Sequence, residues 1–233
     1  MPRGDQAAGV SPSWDPLSVA SVTEVVYGQL RGRILGGIAP GQPLKLIGIA
    51  SELGVSTTPV RVAIERLVAD GLVVHQGRKG STVAPLSLTD FRDIYAVRRG
   101  LEGNAARTGA AKLSDVELGH MEERMARLNK IASPNKAQVD EYLECEWQIH
   151  LICYGAAGHR RLLKEIQAYR RQAERYFRLA LSEGINVVDD LSHQRDFCQA
   201  CTDRDSARAE SMAHVLIDWT VDRVSPLLEH LGQ

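Results

Sequence analysis

Ile49-Ala50-Ser51-Glu52-Leu53-Gly54-Val55-Ser56-Thr57-Thr58-Pro59-Val60-Arg61-Val62-Ala63-Ile64-Glu65-Arg66-Leu67 is the stretch whose reading decides the fold. It reads as a short helix, a tight turn at Gly54 and a second helix that opens at a cap. Ser56 and Thr57 are residue types whose side-chain oxygens satisfy the free N–H groups of a helix start. Pro59 fits only in a first turn, where its missing N–H has no partner to lose. Val60, Ala63, Ile64 and Leu67 then recur at helical spacing as one apolar face, and Ile49, Ala50 and Leu53 give the preceding helix a matching one. Two short helices locked across a glycine turn make a helix-turn-helix, whose second helix enters the DNA major groove. The polar edge of that helix, with Ser56, Thr57, Thr58 and Arg61 and with Arg66 farther along, is expected to meet bases and phosphates.

The flanks sharpen this. Gly71 ends the second helix, and Leu72–His75 and Ser81–Ala84 read as two short strands around a Gly-rich, basic turn. That hairpin is a wing, and its tip (Arg78, Lys79 and Gly80) has little bulk and can approach a duplex closely. A solvated turn is the plainer account of Arg78 and Lys79, but beside a recognition helix DNA contact is the better one. Upstream, Val22–Leu35 reads as a helix with Val25, Val26, Leu30 and Ile34 on one face, closed by Gly36-Gly37 and a turn through Pro40 and Pro43. Residues 1–18 are rich in Gly, Ser and Pro and are expected to be a disordered tail.

From Ser87 onward the strand signals stop. Apolar residues at helical spacing predict six successive helices: 88–108 behind a Ser87 or Thr89 cap, one capped by Ser114, then 139–154, 160–181, 189–202 and 206–231. Short links between them make an all-α bundle. The 160–181 helix carries seven basic residues, which read as a solvated or subunit-facing surface, with a second nucleic-acid surface as the alternative.

The chain has 233 residues, 44% hydrophobic and 5% aromatic, ordinary for a helical globular protein with room for two modest domains. The net charge of −1 divides unevenly. Residues 1–86 hold 8 Lys+Arg and 6 Asp+Glu, hence +2, leaving 20 and 23, hence −3, for the rest. So slight a basic excess implies that the reading head needs a second copy to gather enough phosphate contacts at cellular salt. No run approaches the roughly 18 apolar residues of a membrane span, and no secretory signal opens the chain, so a cytoplasmic location is expected. The four cysteines make no disulfide framework, and Cys198-x-x-Cys201, without a second pair, reads as two buried small residues.

One constellation in the bundle carries chemistry. Glu146-x-x-x-His150 places a carboxylate and an imidazole on one helical face, and His193 and His214 lie on two later helices. Such a set can grip one divalent ion, and the competing reading is a surface pair with scattered histidines.

The string LGVSTTPVRVAIERLVADGLV with GRKGSTV downstream resembles the winged helix-turn-helix of GntR-type transcriptional regulators over roughly residues 20–86, and ILGG.I.PG..L resembles their first helix and loop. Those regulators usually carry a DNA-contacting arginine where this chain has Thr57, while Arg61 fills the family's other arginine position. YAVRRGLE, EWQIHLICYGAAGHRRLL and HQRDFCQACTDRDSARAESMAHVL resemble, in order, three signature stretches of the FCD effector domain of FadR-type members. The resemblance implies a cavity lined by one carboxylate and three histidines, holding a divalent metal (Zn, Ni or Mn) that helps bind a small carboxylate. Glu146 stands at the carboxylate position, His150 at the first histidine and His214 at the last; the middle position falls on Gln194, or on His193 with a shift of register. Arg98 matches a family arginine near the effector pocket.

The expected architecture is therefore mainly α: residues 1–18 a tail, 19–86 a winged helix-turn-helix, and 87–233 an FCD-like six-helix bundle. The expected function is a homodimeric regulator that binds a palindromic double-stranded DNA operator and senses a small organic acid. The competing class is a metal-dependent enzyme built on the bundle's carboxylate/histidine site.

Overall fold

The computed structural model describes residues 17–77, 80–131, 134–135 and 137–231. In chain order these form α1 (Leu17–Leu35), α2 (Leu46–Leu53), α3 (Thr57–Ala69), β1 (Val73–His75), β2 (Ser81–Val83), α4 (Leu88–Ala110), α5 (Asp115–Asn129), α6 (Val139–Ala156), α7 (Arg160–Ser182), α8 (Val188–Thr202) and α9 (Ser206–Leu231). Leu17 and Ser18, assigned to the tail, belong to α1, which begins five residues earlier than the apolar spacing suggests. The rest of that tail, and Arg78 and Lys79 of the wing tip, lie outside the described residues.

In the N-terminal unit, Gly54 takes the left-handed conformation (φ 65°) that closes α2, and the Val55 N–H donates to the Ala50 carbonyl at 3.0 Å. Val60, Ala63, Ile64 and Leu67 of α3 are all buried, packed with Val26, Leu30 and Ile34 of α1 and with Leu72 and Val83 of the wing. Ser56 holds the cap position of α3 with an extended backbone, but its side chain makes no capping bond, contrary to expectation; the hydroxyl stays exposed. In the wing, Val73 pairs with Val83 and His75 with Ser81. The 41–44 segment, expected as a plain turn, runs along the other edge of β2: Val83 N–H donates to Gln42 O at 3.0 Å and Leu44 N–H to Ser81 O at 2.8 Å.

The six helices α4–α9 bury Phe91, Tyr142, Ile149, Ile166, Tyr176 and Phe197 in a common core. Ser87 caps α4, and Ser114 with Glu117 forms a full capping box on α5, an arrangement stabilising by about 1 kcal/mol. α4 runs close to its neighbours because two of its three glycines face them. A Cβ at Gly109 would lie 1.9 Å from the Cys153 carbonyl oxygen of α6, and one at Gly103 would lie 2.2 Å from His214 Nε2 of α9. Cys153 and Cys201 are free, fully buried thiols with their sulfurs 3.6 Å apart, and Cys198 is half-buried.

α7 joins the two units. Its inner face (Ile166, Ala173, Tyr176, Phe177 and Ala180) belongs to the bundle core. Of its basic side chains, expected to face solvent or a subunit, Arg171 and Arg175 instead meet the reading head of the same chain, while Arg170 and Arg178 pair with carboxylates of the bundle. Arg171 Nε donates to Asp70 at 2.7 Å, Arg31 of α1 pairs with Glu174, and Arg175 donates to the Ala84 carbonyl at 3.2 Å. The reason is complementary acceptors across the boundary: Asp70, buried at the end of α3, also accepts from Tyr27 OH at 2.5 Å. Only the first turns of α7, with Arg160, Arg161 and Lys164, keep their charges in water.

Candidate nucleic-acid interface and sensor cavity

The apolar side of α3 is pinned and its polar edge is open. Ser56, Thr58 and Arg61 are exposed and Thr57 is half-buried. Arg61 makes no ion pair among the described residues, and with Lys45, Gln76 and Gly80 it lines an open groove between α3 and the wing. Gly80 turns back at φ 76°, a conformation that suits glycine and keeps the wing tip slim. Arg66 departs from its expected role. It pairs with Glu24 of α1 and its guanidinium lies 4.1 Å from the centre of the Tyr27 ring, so it fastens α3 to α1. The physical reason is helical phase: Arg66 sits five positions beyond Arg61, 140° round the helix.

In the bundle, four helices each turn polar side chains into one enclosed space. α4 supplies Arg98 and Glu102, α6 supplies Glu146, His150 and Tyr154, α7 supplies Arg170, and α8 supplies Asp190 and Gln194; Leu216 and Ile217 of α9 add an apolar wall. Most come as pairs four residues apart, the spacing that projects two side chains from one helix face. The charges are largely matched internally. Arg98 Nε donates to Glu102 at 2.6 Å, and Arg170 Nη2 donates to Glu146 at 2.9 Å. Tyr154 OH donates to Glu102 at 3.1 Å and lies 3.2 Å from His150 Nδ1, while His150 Nε2 is 3.6 Å from Glu146 Oε1. Tyr142 OH donates to Asp190. The remaining free space is about 20 Å³, room for one water-sized group.

Burial lowers the pKa of His150, which is therefore a neutral imidazole at pH 7. Burial, reinforced by the charge of Glu146, pushes the Asp190 carboxyl up to about 7, against the pull of the Tyr142 and Gln194 hydrogen bonds and of Arg170. Burial likewise holds the Tyr142 and Tyr154 hydroxyls protonated.

Sequence reasoning brought Arg98, Glu146, His150 and Gln194 to the cavity, and they meet there. His193 and His214 do not. His193 is half-buried on another face of α8 with its Nδ1 unpartnered, and His214 packs its ring over Gly103. Among the described residues no three His, Cys, Asp or Glu side chains come together to hold a metal ion. Glu146 and His150 alone remain of the expected ligand shell, and Arg170 already occupies Glu146. These residues do not fit a resident Zn, Ni or Mn ion. Glu102, Arg170 and Asp190 were missed from sequence, although Arg98/Glu102 and Asp190/Gln194 repeat the four-residue spacing of Glu146/His150.

A winged reading head coupled to a helical sensor bundle defines a DNA-binding regulator with a ligand-sensing domain. Residues 22–83 match the bacterial regulatory proteins of the gntR family and residues 93–218 match the FCD domain. The chain belongs to the GntR family, in its FCD-bearing branch; it is a transcriptional regulator and not an enzyme. It is 23% identical over 206 residues to an uncharacterized HTH-type transcriptional regulator in an unstable DNA locus of Streptomyces ambofaciens, covering 88% of this chain and 86% of the other. It is 25% identical over 192 residues to the HTH-type regulator YdhC of Bacillus subtilis, covering 81% and 85%. Among solved structures, E. coli McbR/YncC superposes with a TM-score of 0.75 at 19% identity over 91% of this chain and 99% of that one, a likeness of fold. No described helix is long and apolar enough to cross a membrane.

Proposed function

We propose that this regulator works in the cytoplasm as a homodimer whose two α3 helices read the half-sites of a palindromic operator, and that a small organic acid in the bundle cavity sets its affinity for that operator. The observation that carries the DNA half is Arg61: exposed, unpaired among the described residues, and placed in the groove between recognition helix and wing. The slight positive balance of one head makes the two-headed form the effective one. Ser56, Thr57, Thr58 and Gly80 supply hydroxyls and close backbone approach, and Arg78 and Lys79 supply charge at the wing tip.

The sensing half rests on two buried guanidiniums, Arg98 and Arg170, converging on an enclosed polar cavity with Gln194 and His150. A ligand carboxylate would exchange with Glu102 or Glu146 as the acceptor for one of them. α7 carries the consequence outward. Arg170 faces both this cavity and the cleft against α1, and its neighbour Arg171 holds Asp70 of the reading head. A ligand that draws on Arg170 thus favours one placement of the head over another, which is the differential affinity that allostery requires.

Arg61→Ala and Arg66→Ala separate the roles. Against duplexes selected from a random pool by the full-length protein, Arg61→Ala is expected to weaken binding roughly tenfold or more and to flatten its salt dependence. Arg66→Ala should lower the melting temperature and leave the salt slope intact. An Arg61→Ala protein that binds as the parent does would defeat the reading.

A further inference from the structure

The charges of the cavity balance only while Asp190 keeps its proton, and once it ionises one carboxylate is left over. Three carboxylates (Glu102, Glu146 and Asp190) face two guanidiniums (Arg98 and Arg170), and each guanidinium already has a carboxylate partner, Arg170 through Nη2 while its buried Nε has none. His150 is neutral and adds no positive charge. Asp190 has no cation beside it within salt-bridge distance; it receives only the Tyr142 hydroxyl and the Gln194 amide. A second observation points the same way. Gln194 is 1% exposed and lines the cavity, yet its Oε1 has no hydrogen-bond partner. An orphaned acceptor that deep is costly unless something donates to it.

One side of the cavity, built from α6 and α8, is thus a wall of acceptors: Glu146 Oε1, the Asp190 carboxylate and Gln194 Oε1. A primary ammonium carries three N–H donors, one for each, and the free space of about 20 Å³ holds that one group, so the ligand's carboxylate has to take the place Glu102 vacates on Arg98. With Asp190 ionised, a bare carboxylate ligand would add a fourth negative charge to two positive ones. A zwitterion adds none. Its carboxylate takes over a guanidinium, and its ammonium neutralises the surplus carboxylate.

The geometry points to an effector that carries a primary amine as well as a carboxylate: an amino acid or a close analogue, its ammonium seated between Glu146, Asp190 and Gln194. This rests on the reading of the cavity as the sensor site and names the chemical class that site selects.

Matched pairs differing only in the amine test it: glycine with acetate, β-alanine with propionate, and 4-aminobutyrate with butyrate, together with the twenty standard amino acids. Full-length protein is melted with each compound at about 10 mM, where a bound ligand raises the melting temperature by several degrees as it saturates. We expect at least one amino acid to give a saturable rise, its des-amino partner none, and Asp190→Asn to abolish the effect while remaining folded. Equal shifts from acids lacking the amine, a shift that survives Asp190→Asn, or silence from every amine would each overturn the amine assignment. The first of these would leave the organic-acid reading standing. Conversely, an amino acid that binds through Asp190 without altering operator affinity would uphold the amine site and defeat the sensing role.

Discussion

Replacing Asp190 with asparagine should stabilise the protein, and most at neutral and alkaline pH. Asp190 is 3% exposed on α8, with the Tyr142 hydroxyl donating to it and Glu146 as a like-charged neighbour. Its carboxyl is pushed from 3.8 up to about 7, first by burial and then by the charge of Glu146. The folded state therefore holds this proton more tightly than the unfolded chain. The stabilising contribution of the protonated form is complete below pH 3.8 and is lost as pH rises towards 7. At about 1.4 kcal/mol per pH unit, the loss has a ceiling on the order of 4 kcal/mol. Glu146 shares the titration, so a difference of about 1–3 kcal/mol is the working expectation. Asparagine avoids the loss: its oxygen still accepts from Tyr142 OH, and with the Gln194 amide turned over its N–H₂ donates to Gln194 Oε1, the acceptor that lacks a partner.

The assay is thermal and urea unfolding of both proteins from pH 4.5 to 8.5, plotted as the difference between them. That difference should be smallest at the acid end, about a quarter of its full size at pH 4.5, grow with pH and level off above 7, where it corresponds to several degrees in melting temperature. Acid-labile groups elsewhere cancel in the subtraction. A flat difference, or an Asp190→Asn protein less stable than the parent at pH 8, would refute the account of a buried carboxylate without a cation.

Asp70→Ala removes the acceptor shared by Tyr27 and Arg171 and should loosen the reading head from α7; hydrogen exchange should rise in α1 and at 84–88, and operator affinity should change although no DNA-facing residue is touched. Gly103→Ala puts a methyl 2.2 Å from His214 Nε2 and should destabilise by about 1–3 kcal/mol, whereas the double variant with His214→Ala should recover most of it; strict additivity would show that the two do not meet. Protein purified without a histidine tag should carry well under one Zn, Ni or Mn ion per chain, unchanged in His150→Ala; a stoichiometric ion lost in that variant would restore the metal-assisted cavity.

What was legible in the amino-acid order was whatever local periodicity and local chemistry fix. Gly54 between two apolar-faced helices dictates the helix-turn-helix, and the Ser114/Glu117 box starts α5 because both partners lie within one turn. The four-residue spacing of Glu146 and His150 places them on one face wherever α6 goes. None of this needs a distant residue. What the sequence could not decide is which faces turn to one another across tens of residues. The basic run of α7 reads the same whether it meets water, a subunit or Asp70. Arg66 reads as a DNA contact until α1 brings Glu24 and Tyr27 against it. His214 matches a ligand position in order along the chain, but the rotation of α9 against Gly103 turns it away from the cavity and presents Leu216 and Ile217 instead. Asp190 carries only its four-residue spacing from Gln194; the packing of α8 against α6 is what makes it a buried charge beside another. The partners of a charged side chain are set by the three-dimensional neighbours that desolvate it, and those are chosen when the helices pack.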